Sequence, residues 1–432
     1  MQVSSVVRAS VVLGLLVLPV GANAQTRGDG LQQQIEQLRT EMDALRHDYE
    51  ARLAALEAKL AEVQSTAPAA TPPAAAPAPP TTAQAAAPEG QGTLPVYGAG
   101  ASGSKIFNPD IAVIGDFLGT GGRNLVAPAP ALAMHESEAS FQAIVDPYAR
   151  ADFFLSFGES GVDLEEGFLT LTSLPGGLLT RVGKMKAAFG KVNTLHNHVL
   201  PWADRPLVTE NLVGGEEGLS DAGISVARLI PNPWLFLEVT GQVLRGDSEA
   251  DLFRSSRRGD LSYVGHLRAF QDLSESTNID LGVSYSRGHN AAGIVDGTDI
   301  GRFTTELFGV NGTVRWRPLR RAIYRSFIGR TELVWSRRQQ FGGRQDAMGY
   351  FLSGDYQLAR RWFGGVRYDR SERADDATLF DRGGSVVVTY WPSEFSQVRG
   401  QYRHTRYAED SAANELLFQF LFSIGAHGAH PF

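Results

Sequence analysis

The sequence contains no cysteine, which excludes disulfides, thiolate metal sites and a lipid-modified N-terminal cysteine. Lysine is scarce as well, since beyond residue 105 it occurs only at Lys184, Lys186 and Lys191. No apolar run reaches the roughly 20 residues that a membrane-spanning helix needs. The net charge of −7 over 432 residues is mild and gives no reason to expect nucleic acid as a partner.

Signatures of catalysis are also lacking. The sequence has no nucleophile elbow, no P-loop and no dinucleotide-binding fingerprint, and the glycine-rich run at 119–122 lacks the helix that a phosphate site requires. Strand periodicity brings together no serine and histidine of the kind that a hydrolase needs. We therefore expect a protein that is not an enzyme and that needs no cofactor.

The N-terminus has the features of a secretory signal peptide. One arginine precedes an apolar stretch at 11–20, VVLGLLVLPV, and Ala22-Asn23-Ala24 forms an A-x-A cleavage site. The apolar stretch is too short to span a membrane as a helix. We predict a cleaved signal peptide over residues 1–24.

Residues 25–64 have the spacing of a coiled coil. The apolar positions step by three or four residues, with a stutter around Tyr49 that relaxes the supercoil; they are Leu31, Ile35, Leu38, Met42, Leu45, Tyr49, Leu53, Leu56, Leu60 and Val63. The alternative is one amphipathic helix that lies on the protein's own surface. We predict self-association, with a trimer expected by analogy. Residues 65–104, dominated by alanine and proline, are predicted to be a semi-extended linker.

Residues 105–432 alternate apolar and polar side chains with period two. In 148–157, for example, Phe153 and Leu155 share one face while Asp152 and Ser156 share the other. Such segments, separated by turn residues about every ten positions, are typical of a transmembrane β-barrel. The pattern predicts about sixteen antiparallel strands, the first at 111–118 and the last from Glu415 onward.

Short and long connections alternate along this region, as expected when one side of a membrane barrel has short turns. The short set is 146–147, 174–177, 230–233, 271–277, 317–324, 357–361 and 392–395. The long set is 119–135, 158–162, 187–221, 246–259, 287–302, 338–346, 371–383 and 406–414. We assign the short set to the periplasm. An even strand count then places both chain ends there.

The C-terminal sequence ELLFQFLFSIGAHGAHPF ends an apolar-alternating strand on Phe432. This ending resembles the signal by which the barrel assembly machinery recognises outer-membrane proteins. Together with the coiled coil, linker and barrel, it makes the chain similar in layout to coiled-coil-bearing bacterial porins of the phosphate-selective and carbohydrate families. The resemblance implies an outer-membrane protein of Gram-negative bacteria in contact with lipid, with a periplasmic stalk.

The ending GAHGAHPF and the stretch FNPDIAVIGDF also resemble uncharacterised outer-membrane proteins of the TonB-dependent-receptor-like kind. Such receptors carry a plug domain of over a hundred residues before the barrel. Residues 64–110 are too few to supply one, so energised uptake through a plug is not expected.

Strand parity places a set of charged residues on the inner face of the barrel. The predicted pore-lining residues are Arg150, Asp152, Glu238, Arg268, Asp280, Arg330, Glu332, Arg367, Asp369, Arg399 and Arg403. Their signs roughly balance, whereas a phosphate channel would show a ladder of unopposed basic residues. We therefore predict passive diffusion of small hydrophilic solutes.

The stretch 187–221 is the longest external connection and is predicted to fold inward as a constriction loop. It contains His196 and His198, which could face one metal ion with Asp204, Glu210, Glu216 or Glu217 nearby in sequence. A hydrogen-bonded structural pair is the commoner role for His-x-His. The same holds for His427 and His430. No metal site is therefore assigned.

Two other functions remain open from the sequence. One is a substrate-specific outer-membrane receptor, with metal ions as a candidate substrate. The other is a structural barrel that anchors the stalk, which could bind peptidoglycan or another periplasmic partner.

Overall fold

The computed structural model describes residues 109–158, 161–248 and 252–425. The predicted signal peptide, coiled coil and linker lie outside these residues, as do His427, His430 and Phe432, so those expectations stay predictions. No helix in the described ranges is long and apolar enough to cross a membrane.

Antiparallel strands make up almost all of the regular structure, with residues of high β propensity alternating along each of them. The strands are β1 (Asp110–Arg123), β2 (Leu132–Asp146), β3 (Ala149–Gly158), β4 (Gly161–Leu174), β5 (Leu178–Lys186), β6 (Ser220–Leu229), β7 (Phe236–Leu244), β8 (Ser262–Ser274), β9 (Thr277–His289), β10 (Ile294–Val295), β11 (Thr298–Asp299), β12 (Thr304–Trp316), β13 (Phe327–Gln340), β14 (Gly343–Ala359), β15 (Trp362–Glu372), β16 (Phe380–Ser393), β17 (Ser396–Arg406) and β18 (Ala412–Gly425).

Sixteen of these strands form one closed barrel, and the prediction of about sixteen is confirmed. Each strand pairs with its sequence neighbours in the wall, and β1 closes the ring on β18, from Ala112 opposite Gly425 to Arg123 opposite Asn414. Closure leaves no sheet edge unpaired. The short strands β10 and β11 form a separate hairpin in the connection after β9.

Several strands are longer than the sequence predicted. Strand β1 runs on to Arg123, β18 begins at Ala412, and the predicted long connection 338–346 is a two-residue turn at Phe341-Gly342 between β13 and β14. The polar side chains that look like a loop lie on paired strands. Because the ladder is built from backbone groups, it continues past the apolar part of each strand.

The outer surface of the barrel is apolar. In β18, Leu416, Phe418 and Phe420 point outward and are exposed. Glu415 and Gln419, at alternate positions of the same strand, are buried on the inner face. Exposed aromatic side chains lie beside the short turns, in the position of an interfacial girdle; they include Trp234, Tyr324, Tyr356, Trp362 and Phe395. An apolar outer face and a polar inner face are the arrangement of a barrel surrounded by lipid.

The outer apolar face predicts a cost for a charge placed there. Val386 lies in the middle of β16 and points outward, opposite Val366 and Tyr402 of the neighbouring strands. We expect Val386→Lys to lower the free energy of unfolding by about 2–4 kcal/mol in lipid vesicles, because a lysine at bilayer depth loses its hydration. Denaturant titration measures this, with Val386→Leu as control. Equal stability of the two variants would contradict a lipid-facing position.

Candidate functional site

Residues 187–219, between β5 and β6, form a segment that we call the inner loop. It donates hydrogen bonds to Glu136 on β2 (3.0 Å), to Glu332 on β13 (3.2 Å) and to Gln401 on β17 (2.9 Å). These three strands lie at separate places around a closed ring. A loop that reaches all of them lies inside the barrel, as its length predicted.

The wall of the barrel accepts the backbone N–H groups of the inner loop. The Gly190 N–H donates to the Ser284 hydroxyl (2.9 Å), and those of Lys191 and Val192 donate to one Glu332 carboxylate oxygen (3.2 Å each). Gly190 has a φ of +62°, and a Cβ there would overlap the Glu332 carboxylate. Glycine is required at this position both for its backbone conformation and for the close approach.

The inner loop is held by apolar packing as well. Trp202, only 1% exposed, meets the edge of Phe351 on β14 (centroids 5.3 Å apart), and the Arg367 guanidinium lies 4.8 Å from its ring centroid. Loop residues in this core are Ala187, Phe189, Val192, Leu200, Trp202, Val208, Leu212, Val213 and Leu219. The interior of the barrel is therefore not uniformly polar at this depth, because the apolar side chains of the loop pack against apolar side chains of the wall.

Asp204 ties the inner loop to basic residues of the opposite wall. Its carboxylate lies 2.8 Å from both Arg367 on β15 and Arg403 on β17, and Gln401 donates to it as well (2.5 Å). Burial by itself raises the pKa of Asp204, but the charges of Arg367 and Arg403 outweigh it and lower the pKa to about 2. The side chain is therefore ionised at neutral pH.

The structure places the predicted pore-lining residues on the inner face, mostly in ion pairs. Arg268 binds Asp280 through two hydrogen bonds of 2.9 Å, and Glu238 lies opposite Arg268 in the strand register. The other pairs are Arg150–Asp152 (2.7 Å), Arg330–Asp355 (2.5 Å), Arg367–Asp369 (2.7 Å) and Arg403–Glu415 (2.7 Å). Arg399 donates to the Trp202 carbonyl (2.9 Å), and Glu332 binds the loop backbone.

His196 and His198 are brought together, with their ring centroids 5.8 Å apart. We call Glu138, Glu165, Glu166 and these two histidines the acid–histidine cluster. His196 Nδ1 lies 2.8 Å from a carboxylate oxygen of Glu138 and 2.8 Å from one of Glu165, and Nε2 lies 2.9 Å from Glu166. His198 Nδ1 is 3.6 Å from the same Glu138 oxygen.

Two of the acids that are close to these histidines in sequence, Asp204 and Glu216, have other partners in space. Asp204 pairs with arginines on the far wall, and Glu216 pairs with His135 (2.6 Å). The partners of His196 instead come from β2 and β4, which the sequence separates from the inner loop. Strand alternation is consistent with inward positions for Glu138 and Glu166 but does not link them to the histidines.

A β-bulge explains why strict strand alternation does not predict Glu165 on the inner face. In the pairing of β3 with β4, Phe154 is opposite Glu166 and Leu155 is opposite Leu164, so Glu165 has no partner. An unpaired extra residue lets two consecutive side chains point to the same side of a strand. Glu165 and Glu166 therefore both reach His196.

Burial opposes a charge on the His196 imidazole, yet its pKa is raised well above the ordinary value. The cause is the surrounding set of carboxylates, Glu138, Glu165 and Glu166, all within 3 Å of a ring nitrogen. They stabilise a cation at the imidazole position.

Acids are in excess on one wall of the lumen. Strands β1 to β4 contribute the inward acids Asp116, Glu136, Glu138, Asp152, Glu165 and Glu166. Strands β8 to β17 contribute the arginines Arg268, Arg315, Arg330, Arg367, Arg399 and Arg403, and inward acids of the same wall such as Asp280, Asp355 and Asp369 pair with several of them. A cleft of about 390 Å³ opens beside the acidic wall, lined by residues that include His135, Glu136, Asn197 and Glu216.

We predict that the inner loop loosens in acid, because Asp204 then loses its negative charge. Because its pKa is lowered, the stabilisation is present above the ordinary aspartate pKa near 4 and is lost as the pH falls towards 2. Asp204→Asn removes the two ion pairs at every pH and should cost about 2 kcal/mol. Limited proteolysis within 187–219 measures the loosening, with Asp376→Asn in an exposed turn as control. Equal protection of wild type and Asp204→Asn at pH 7 would contradict the role of Asp204.

Comparisons with known proteins agree with this architecture. No protein-family model matches the sequence. An uncharacterized protein of Aquifex aeolicus is 28% identical over 335 residues, which cover 69% of this chain and 70% of the other.

Among solved structures, OmpT, an outer membrane protein of Vibrio cholerae in its trimer form, matches with a TM-score of 0.50 and 10% identity over 73% of this chain and 99% of that one. An anion-selective porin from Comamonas acidovorans matches with a TM-score of 0.50 and 10% identity over 73% and 98%. At this level of identity the likeness concerns the fold alone. The described barrel has the sixteen-stranded fold of outer-membrane porins.

Proposed function

We propose that the protein is an outer-membrane channel through which small hydrophilic solutes diffuse passively. The observation that carries the proposal is a closed barrel with an apolar outer face, a charged inner wall and a loop anchored inside it. A closed barrel satisfies all strand hydrogen bonds internally, as lipid requires. A charged inner wall, in contrast, needs water, which argues for an aqueous lumen.

The inner loop sets the size limit of the proposed channel. It is fixed by the Glu332 and Asp204 contacts and by the packing of Trp202, so its position is rigid. A rigid constriction selects solutes by size. Acids are in excess on β1 to β4, whereas the arginines of the other wall are mostly paired with acids. Because both signs are present in the lumen, we expect weak ion selectivity.

Planar-bilayer recording of the purified full-length protein tests the channel. We expect stepwise conductance with weak cation or anion preference. Because Lys186 pairs with Ser220 across the loop ends, a short glycine-rich turn can replace residues 188–218 without breaking the strands. That variant should conduct several-fold more, since the constriction is gone.

The control for this recording is Val386→Leu, which leaves the lumen unchanged. Heat-modifiable electrophoretic mobility and circular dichroism verify that each barrel is folded. A folded wild-type barrel without stepwise conductance would overturn the proposed channel. The dense packing of the inner loop favours a second candidate in that event, an envelope anchor whose barrel is sealed.

We further propose that residues 25–64 form a periplasmic coiled coil through which the barrels self-associate, as a trimer in the simplest arrangement. The support is the regular spacing of three and four between apolar residues from Leu31 to Val63. In the same proposal, Phe432 serves recognition by the barrel assembly machinery, and the stalk is placed to contact peptidoglycan.

Deleting residues 25–64 should lower the oligomer order of the purified protein, because the seam between chains is lost. Light scattering after gel filtration in detergent measures the order. Deletion of 70–90 within the linker is the matched control and should leave the oligomer intact. An unchanged oligomer after deletion of 25–64 would refute the role of the stalk.

A further inference from the structure

We propose that the acid–histidine cluster binds one divalent transition-metal cation at the junction between the inner loop and the barrel wall. Glu138 from β2, Glu165 from β4 and His196 from the inner loop supply the ligand atoms, and His198 lies within reach as a fourth. The site does not depend on the proposed channel function, since it is formed by the folded chain alone.

The ligand atoms have the spacing of a coordination sphere. One atom each from Glu138, Glu165 and His196 lies within 4.8 Å of the other two. His196 Nδ1 is 2.8 Å from both carboxylate oxygens. Ligands held at about 2.1 Å from one tetrahedral ion are separated by roughly 3.4 Å, so these atoms would bind a metal after moving apart by about half an ångström.

These contacts are not hydrogen bonds. Although buried, the Glu138 Oε2 and His196 Nδ1 atoms have no hydrogen-bond partner among the described residues. Glu138 is 2% exposed and Glu165 is 4% exposed. Buried polar atoms without a partner are costly, and a metal ion at their common centre would satisfy them together.

The charge of the cluster also calls for a cation. Glu138, Glu165 and Glu166 converge on His196, and the Lys186 ammonium, 3.6 Å from Glu165, offsets part of their charge. The remaining positive charge is supplied either by a proton on His196 or by a metal ion that replaces that proton. Carboxylates this close and this deeply buried repel one another in a medium of low dielectric constant. A divalent ion removes that repulsion.

The donor set identifies the class of metal. One or two imidazole nitrogens with carboxylate oxygens suit Zn²⁺, Mn²⁺, Fe²⁺ or Ni²⁺, whereas Ca²⁺ and Mg²⁺ prefer oxygen ligands alone. The absence of cysteine excludes thiolate coordination. We therefore infer a borderline transition metal, for which Zn²⁺ is the practical probe.

An acidic cleft lies beside the cluster. Glu136 and Asn197 line the cleft of about 390 Å³ and are bonded to each other (3.0 Å) directly beside His196. Asp163 and Glu216 line the same cleft. Acidic groups around a concave opening raise the local concentration of cations.

A second group of similar composition has more contacts with neighbouring side chains. Asp260, His289 and Asp299 also bring three potential ligands together. There Arg302 pairs with Asp260, and the Ser256 hydroxyl is within hydrogen-bonding distance of both Asp260 (2.9 Å) and Asp299 (2.7 Å). Although His289 Nε2 and Asp299 Oδ1 also lack hydrogen-bond partners among the described residues, the Arg302 guanidinium and the Ser256 hydroxyl contact the carboxylates directly, so this group provides the matched control.

Isothermal titration of the metal-stripped, full-length protein with Zn²⁺ tests the proposal. We expect one tight site per chain and at least a tenfold loss of affinity in both Glu138→Gln and Glu165→Gln, which keep the side-chain shape. The control His289→Ala should bind as wild type does. Substituting Co²⁺ should give visible d–d absorption bands that both glutamine variants lose.

Circular dichroism and heat-modifiable mobility establish that each variant is folded. The proposal is overturned if folded wild-type protein binds no Zn²⁺, or if its affinity is the same in both glutamine variants. Equal loss of binding in His289→Ala would also overturn it, because the ion would then not be held at His196. Because no transport is measured, its failure would leave the channel proposal untouched, and the reverse also holds.

Discussion

The structure depends on one constraint, which is that a loop buried inside a barrel must find partners for its backbone groups. Water cannot serve where apolar side chains such as Trp202 exclude it. The wall therefore supplies acceptors at the right depth, with Glu332 binding two consecutive N–H groups and Ser284 a third. These wall residues fix the loop, and the loop in turn positions Asp204 and His196.

Much of the fold could be predicted from the sequence because the barrel obeys one periodic rule. Side chains on a strand alternate between the two faces, so apolar and polar positions in segments such as 148–157 reveal both the strands and their orientation. The ends of the strands are predicted less well. Residues 338–346 carry two arginines and two glycines, yet most of them continue β13 and β14, because backbone pairing does not require apolar side chains.

The candidate site was only partly predictable, since alternation fails where a strand carries a bulge. Glu165 is out of phase with its strand, and nothing in the local sequence marks the extra residue. The contact of His196 with Glu138 joins a loop to a strand far away in sequence. Such a contact follows from the way the inner loop enters the barrel, which composition and spacing do not specify. The sequence alone did show that His196 and His198 could act as a pair.

The pairing of the first wall strand with the last has a consequence for how the molecule assembles. Gln419 donates a hydrogen bond to Asp116, 303 positions away in the chain, across the seam between β18 and β1. Contacts of such high separation carry a large entropic cost and form slowly. Until the final strand arrives, β1 presents a free edge that other chains can join. Ring completion is thus a late, cooperative event, and an incompletely synthesised chain is an aggregation hazard instead of a smaller working barrel.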